Sequence, residues 1–375
     1  MRRFNKYIHQ LPEWPGFFWT AGQLSTLLAN VRHIQGRLLG KMEGIKFNLQ
    51  SEATLEILTQ DVLKSSEIEG EILSPDQVRS SIARRLGMDV AGLVPSDRNV
   101  DGVVEMTLDA TQRYREELTE DRLFGWHAAL FPAGRSGMHK IVVGNWRNNR
   151  KDDLMQVVSG AMGKEKVHYQ APDSDIVGLE MKRFLDWFNA NQDIDPVLKA
   201  GIAQLWFVTI HPFEDGNGRI ARAITDMQLA RADANSQRFY SMSAQIRRER
   251  NSYYDSLENT QKGSLDITKW LHWFLDCFGN ALTATDQTLV KVFQKAGFWD
   301  NLTDIALNER QKLMLNKLLD GFEGKFNSSK WAKIAKCSQD TAVRDIQDLV
   351  EKGILTKESA GGRSTSYTCS LSLLT

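Results

Sequence analysis

The chain has 375 residues, 42% hydrophobic and 25% charged, enough for two or three domains with a sizeable core and poorly suited to long disorder. Its 47 Lys and Arg balance 47 Asp and Glu, so the whole chain offers no electrostatic case for nucleic acid or a membrane surface, and any such partner must meet a local patch. Three scattered cysteines (Cys277, Cys337, Cys369) without zinc or CxxC spacing, no secretory leader and no membrane-length apolar run lead to the expectation of a soluble, cytoplasmic protein in a reducing compartment.

Residues 1–20 are rich in aromatics and proline (Tyr7, Trp14, Phe17, Phe18, Trp19) and read as an extended strap packing onto a larger body. From Ala21 to Leu63 apolar positions recur at helical spacing, which predicts a long amphipathic helix followed by a second. Ser74-Pro75-Asp76-Gln77 is a helix start, so Lys64 to Leu73 is either a separate short helix or the end of the one before. Ser65 and Glu69, four apart, share a helical face there.

Pro95 to Asn99 marks a joint. Val103 to Leu118 and Arg122 to Leu130 are expected to be helices. Glycines then break up short β-prone pieces at 139–143, 155–158 and 166–169, the last two reading as a β-hairpin across SGAMGKE. Helices are expected over Ile176–Asn189, over the apolar run Ala200–Ile210, and over Ile220–Leu229. A polar loop is expected at Arg231–Arg238, then helices over Ser243–Gln261, Asp266–Phe278 and Leu282–Phe298.

From about Leu302 three short helical patterns (Glu309–Leu319, Ser328–Ala335, Gln339–Lys352) precede β-prone segments around a Gly-Gly turn. That order describes a winged helix-turn-helix. Residues 325–375 carry eight Lys and Arg against five Asp and Glu, only mildly basic. Lys330, Lys333, Lys336 and Arg344 surround the expected recognition helix, with Arg363 in the wing, but Asp340, Asp345 and Asp348 lie on or near it. DNA contact and protein contact are both open for this tail.

Between two of the expected helices stands HPFEDGNGRIAR, residues 211–222. Gly216-Asn217-Gly218 before a helix presents unpaired N–H groups at its positive end, an anion site in its own right. Arg219 and Arg222, three apart, can aim two guanidinium forks at one anion. Asp215 is a hard oxygen donor, and one carboxylate plus substrate phosphates is how Mg²⁺ is commonly held. His211 is placed to act as a general base, and Phe213 is expected in the core. Each feature alone has an ordinary structural explanation; the constellation points to polyphosphate chemistry.

The stretch resembles the Fic family signature HPFx(D/E)GN(G/K)RxxR at every specified position, and the likeness extends over roughly residues 100–280. It implies a mainly α fold: a Fic-type helical core with a β-hairpin flap, a helical extension before it and a winged helix-turn-helix after it. The implied domains are residues 1–98 (extension, with an inhibitory helix at about 64–73), 99–298 (catalytic core) and 299–375 (winged helix). The implied reaction moves AMP from ATP to a Ser, Thr or Tyr hydroxyl of a target protein. His211 would be the base, and Asp215 would hold Mg²⁺. Gly216, Asn217 and Gly218 would form the anion hole, with Arg219 and Arg222 on the β- and γ-phosphates. The hairpin would register the target, and its end (Val167, His168, Tyr169) with Tyr253 and Tyr254 would line the nucleoside pocket. Gln261 stands where relatives often have asparagine, which leaves that adenine contact in question. Relatives with lysine at position 218 phosphorylate their targets, so Gly218 favours adenylyl transfer.

Ser65, Glu69 and Gly70 also fit the inhibitory pattern (S/T)xxxE(G/N) found in many Fic proteins, which implies a Glu69 carboxylate competing for Arg222. Ser66 and Glu69 also fit a capping box. The resemblance leads to an autoinhibited adenylyltransferase; such relatives often dimerise, which leaves a homodimer open. Its competitors are a DNA-binding regulator and a Fic enzyme transferring another nucleotide or a phosphoryl group.

Overall fold

The computed structural model describes residues 7–45, 47–88, 92–149, 154–160, 164, 166–322, 324–358 and 365–370. The chain divides into two compact units: residues 1–45, 54–82 and 95–286 form one, and residues 46–53, 83–94 and 287–375 the other. The fold is mainly helical, with three small antiparallel hairpins among the described residues.

In the larger unit the N-terminal strap runs across the body as expected. Trp14 Nε1 donates to Glu180 Oε2 at 2.7 Å, its ring meets Phe17 and Trp206 edge-on, and Phe18 exchanges backbone hydrogen bonds with the Leu265–Ile267 segment. Helices α1 (Ala21–Glu43) and α2 (Phe47–Ile68) follow, then α3 (Pro75–Arg85), beginning at the expected proline. Next come α4 (Arg98–Gln112) and α5 (Glu120–Leu130), the latter capped by Thr119. Strands β1 (Arg135–Ser136) and β2 (His139–Lys140) make a minimal hairpin. Strands β3 (Gln156–Ser159) and β4 (Lys166–Gln170) make the expected larger one, bulged between Val157 and Val158. Most of its turn, residues 161–163 and 165, lies outside the described residues.

Helix α6 (Ser174–Asn189) leads to α7 (Pro196–Ile210) and α8 (Asn217–Asp233), the pair at the centre of the unit. Every residue of α7 from Val197 to Ile210 is buried, which explains its lack of an amphipathic stripe. Helices α9 (Met242–Arg248), α10 (Arg250–Gln261) and α11 (Thr268–Asp300) complete the series.

Several expected boundaries are corrected. Helix α4 starts at Arg98 and stops at Gln112 rather than Leu118, where Arg122 donates to the carbonyls of Asp109 and Arg113. Helix α8 runs three residues into the expected polar loop, because Arg231 is anchored to the carbonyls of Tyr114 and Glu116. Ser243–Gln261 is two helices, broken at Glu249 with neither glycine nor proline to mark it. The two helices expected over 266–298 are one. Its Gly279 faces α1, where an added Cβ would stand 3.4 Å from Val31 Cγ2, so close packing offsets the propensity cost of a mid-helix glycine.

The smaller unit holds α12 (Glu309–Leu319), α13 (Ser328–Ile334), α14 (Gln339–Glu351) and the antiparallel strands β5 (Leu355–Lys357) and β6 (Tyr367–Cys369). Phe298, Met314, Leu315, Trp331, Ile346 and Leu349 are among its core. Three helices and a hairpin follow the order expected of the tail; Arg363 lies outside the described residues.

Candidate active site

The HPFEDGNGRIAR stretch is the connection between α7 and α8. Asp195 caps α7 and Pro196 occupies its first turn. The helix ends at His211, whose backbone is left-handed (φ 52°, ψ 59°). This conformation is uncommon for a residue with a side chain and turns the imidazole out of the helical path. Arg147 holds it there: its backbone N–H donates to Pro212 O at 2.9 Å, its Nε to His211 O at 2.8 Å, and its Nη2 to Pro172 O at 2.5 Å. Arg147 is 3% exposed, and burial brings its pKa down to about 10.

His211 keeps partial access at the mouth of the loop but is densely surrounded, and burial pulls its pKa down to about 4. Its Nδ1 lies 3.2 Å from Val208 O. A carbonyl only accepts, so Nδ1 carries the proton and Nε2 keeps a free lone pair.

Beneath the loop, Phe213 is buried as expected and stacks on His127 with ring centroids 4.2 Å apart. His127 Nδ1 accepts from Gly144 N–H at 3.2 Å, so its Nε2–H faces Asp215 O, also at 3.2 Å. Asn217 closes the turn from above: its Oδ1 accepts from Phe213 N–H at 2.9 Å and its Nδ2 donates to Phe213 O at 2.8 Å. The Asn217 side chain therefore braces the loop. Gly216 has φ +81°, and a Cβ there would stand 2.9 Å from the Phe131 ring, so glycine is required on two counts.

Asp215 is partly exposed; one carboxylate oxygen accepts from Ser136 and the other from Gly216 N–H at 2.5 Å. Among the described residues no group of three or more His, Cys, Asp or Glu could hold a metal ion. This donor set fits a hard ion that arrives with a nucleotide, bound by one carboxylate and completed by phosphate oxygens.

Both motif arginines are engaged by acids from one turn after α2. Arg222 Nε donates to Ser65 Oγ at 2.9 Å and Nη2 to Ser65 O at 2.8 Å. Its Nη1 lies 2.8 Å from Glu69 Oε1, an ion pair without the alignment of a hydrogen bond. Burial opposes the Arg222 charge, but Glu69 together with the Tyr253 and Tyr254 hydroxyls outweighs it and the guanidinium pKa is raised. Arg219 Nη1 pairs with Glu71 Oε2 at 2.7 Å while its guanidinium lies over Phe131. The Glu69 carboxylate also fills the space above the loop: a Cβ at Gly218 would come within 2.1 Å of Glu69 Oε1.

The local reason for this reach is a helix stop. Gly70 is left-handed (φ +85°), its N–H bonds to Glu67 O at 3.1 Å, and Glu71 N–H bonds to Ser66 O at 3.0 Å. These two bonds are a Schellman ending, with Gly70 at C′. The expected helix over 64–73 is thus the last turn of α2 plus its cap, and Ser66 does not cap a helix N-terminus. Glu69 and Glu71 flank the glycine, which lets both reach α8.

The residues expected to line a nucleoside pocket separate. Tyr169 turns inward: its hydroxyl donates to Thr209 O at 2.6 Å and lies 2.9 Å from His9 Nδ1. His168 ties the hairpin to α10 through Glu258 Oε2 at 2.5 Å, and its Nε2 meets Ser159 Oγ. Glu258 is raised by its partial burial but held down at about 2 by hydrogen bonds from Lys262 and His168. Val167 is exposed. Tyr253 is buried against Trp273, Tyr254 is half-buried beside Arg250, and Gln261 Nε2 donates to Thr209 Oγ1 at 3.3 Å. Sequence reasoning missed Glu71, Arg147, Ser136 and His127. Only Glu71 had a legible signal, its place immediately after the Gly70 stop.

The two central helices of this unit thus frame a glycine- and arginine-rich loop, with an imidazole at its mouth. Residues 117–229 match the model of the Fic/DOC family, and residues 7–88 match a domain of unknown function, DUF4172. The chain is a Fic family protein. Over 231 residues it is 27% identical to the protein adenylyltransferase Fic of Culex quinquefasciatus, covering 60% of this chain and 41% of that protein. The Aedes aegypti protein of the same name is 26% identical over the same shares. The chain thus spans 41% of the length of these relatives. Among solved structures, a Fic family protein from Desulfovibrio desulfuricans G20 has the same fold with a TM-score of 0.55, at 19% identity, over 94% of this chain and 97% of that one. A Fic-domain signalling protein from Bacteroides thetaiotaomicron gives 0.51 at 19% identity, over 69% and 96%. Among the described residues no helix is long and apolar enough to cross a membrane.

Proposed function

We propose that this protein is an autoinhibited protein adenylyltransferase, moving AMP from ATP to a Ser, Thr or Tyr hydroxyl of a target protein and of itself. The observation that carries the reading is the single loop that combines a lone-pair-bearing imidazole (His211), the backbone amides of Asn217 and Gly218 at the start of α8, and two buried guanidinium groups already holding carboxylates in place of phosphates. His211 Nε2 takes the proton of the incoming hydroxyl, whose oxygen attacks the α-phosphorus; the bond to the bridging oxygen breaks and pyrophosphate leaves. Arg219 and Arg222 orient the β- and γ-phosphates, which requires Glu71 and Glu69 to withdraw. Mg²⁺, held by Asp215 and the phosphates, would neutralise charge on the triphosphate. The hairpin β3–β4, with exposed Val158 and Val167, offers an edge for an extended target segment. Gly218 favours adenylyl over phosphoryl transfer.

The test is incubation, in separate reactions, with ATP, UTP and CDP-choline, followed by mass spectrometry of the modified proteins. An AMP increment that disappears in His211→Ala supports the reading, whereas a phosphate, UMP or phosphocholine increment replaces it with the corresponding transfer.

One observation favours a second role for the tail. Two of the three aspartates that count against DNA contact are committed internally: Asp345 is buried and paired with Arg310 at 2.7 Å, and Asp348 with Lys352 at 2.6 Å. Arg344, Lys333 and Lys336 stay exposed. Duplex-DNA binding that weakens steeply with salt is the expected result if the tail localises the enzyme on nucleic acid; salt-independent capture of a protein would assign it to protein contact.

A further inference from the structure

The inhibitory turn is held from behind as well as from in front. Behind it lies an open cleft of about 450 Å³, lined by Glu67, Gly70 and residues 247–252 at the break between α9 and α10. The break brings three guanidinium groups, those of Arg247, Arg248 and Arg250, to one concave surface. Two of them secure the turn. Arg247 Nη2 lies 2.9 Å from Glu67 Oε1, and Arg250 Nε donates to Ile68 O at 3.2 Å. Arg248 has a 3.3 Å contact from its Nη1 to Gln245 Oε1. Glu249 also lines the cleft and keeps its charge, its carboxylate accepting from the neutral amides Gln245 Nε2 and, at 3.0 Å, Asn280 Nδ2. No side chain caps the start of α10. The cleft therefore opposes three cations with two carboxylates, Glu249 and Glu67, and Glu67 is also contacted by Lys64 at 2.5 Å.

We propose that this cleft is a binding site for a small polyvalent anion of the oligophosphate class, and that its occupation loosens the inhibitory turn. Planar guanidinium forks match phosphate oxygens, and a multiply charged ligand competes better for them than a single carboxylate. An anion seated there draws Arg247 from Glu67 and Arg250 from Ile68 O. Those contacts lie one and two residues before Glu69, so their loss frees the segment that presents Glu69 to Arg222 and Glu71 to Arg219. Binding and release share one equilibrium: an anion that prefers the open turn must shift the population toward it. The regulatory half rests on the adenylyltransferase reading; the binding half does not.

The test uses inorganic tripolyphosphate, titrated calorimetrically into the full chain at fixed ionic strength. Saturable binding is expected, about ten-fold or more weaker in Arg248→Glu and in Arg247→Ala, and retained in Arg222→Ala, which impairs the nucleotide loop. Arg248→Glu keeps the probe independent of folding, since Arg248 does not secure the turn. Hydrogen exchange of residues 66–71 should rise with tripolyphosphate in the wild type and not in Arg248→Glu. Absence of saturable binding, or binding abolished by Arg222→Ala and untouched by Arg248→Glu, overturns the proposal. Binding without increased exchange overturns its regulatory half. Neither readout measures transfer, so their failure is distinct from failure of the enzymatic assignment.

Discussion

Glu69→Gln is the sharpest perturbation of the proposed brake, because it removes the charge and keeps the size of the side chain. Two unit charges about 4 Å apart attract by about 4 kcal/mol at an effective dielectric of about 20. The observed pair is close, 2.8 Å from Nη1 to Oε1, with the Arg222 side chain 3% exposed and that of Glu69 34% exposed. Solvent on the Glu69 side and the missing hydrogen-bond alignment reduce the net value to about 2 kcal/mol. Removing it should raise the fraction of molecules with Arg222 open to phosphate by roughly 30-fold. The assay is self-modification with α-labelled ATP at subsaturating nucleotide, with Glu69→Gln/His211→Ala as the control that must stay silent. Glu69→Gly goes further, since it also empties the space over Gly218. The two variants separate charge from volume. If Gly activates and Gln does not, the carboxylate blocks by filling space and the electrostatic argument is wrong. If neither exceeds wild type while ATP still binds, the brake itself is refuted.

Glu71→Gln should give a smaller increase, about 3- to 10-fold, because Arg219 keeps its contact with Phe131 and the pair is partly exposed; a double-mutant cycle with Glu69→Gln measures whether the acids act as one latch. His211→Ala should abolish transfer and leave ATP affinity, measured calorimetrically, nearly unchanged. With the His211 pKa held at about 4, below the ordinary value of 6.5, the neutral base persists across neutrality, so transfer by the Glu69→Gln protein should stay flat from about pH 8 to about 5 and fall below that. The same depression stabilises the fold fully above pH ~6.5, and that contribution is lost as pH falls through about 4. Arg147→Met should reduce turnover more than ATP binding and move the acid limb upward, since the nearby guanidinium helps keep His211 neutral. Loss of its buried hydrogen bonds should also cost about 2–3 kcal/mol in chemical denaturation, with Arg147→Lys restoring part of both.

Much of the loop between α7 and α8 was legible because its signals are local. An apolar run, a glycine turn and two arginines three apart specify a helix end, an anion site and a helix start without reference to the rest of the chain. The parts that escaped are those set by distant partners. Nothing near Arg147 announces that its guanidinium will reach the carbonyls of His211 and Pro172, 64 and 25 residues away. Helix α11 runs through Gly279 because α1 packs closely there, a tertiary fact that propensity does not contain. Other misses were avoidable. Val167, His168 and Tyr169 are consecutive on a strand, so side-chain alternation already forbids all three from lining one pocket, and Tyr169 is the one that turns to the core. Gly70 could have been read as a C′ residue, which would have ended α2 near Ile68 and placed Glu69 and Glu71 together on the exit. Read that way, the inhibitory pattern is the geometry of a helix terminus: serine inside the last turn to grip Arg222, glycine to reverse the chain, and an acid on each side of the reversal. The proposed brake would then be as strong as the Schellman turn is stable. Gly70→Ala, which strains a φ of +85°, should therefore weaken inhibition while leaving both carboxylates in the sequence. Such a variant with wild-type inhibition would show that the acids hold the turn, and not the turn the acids.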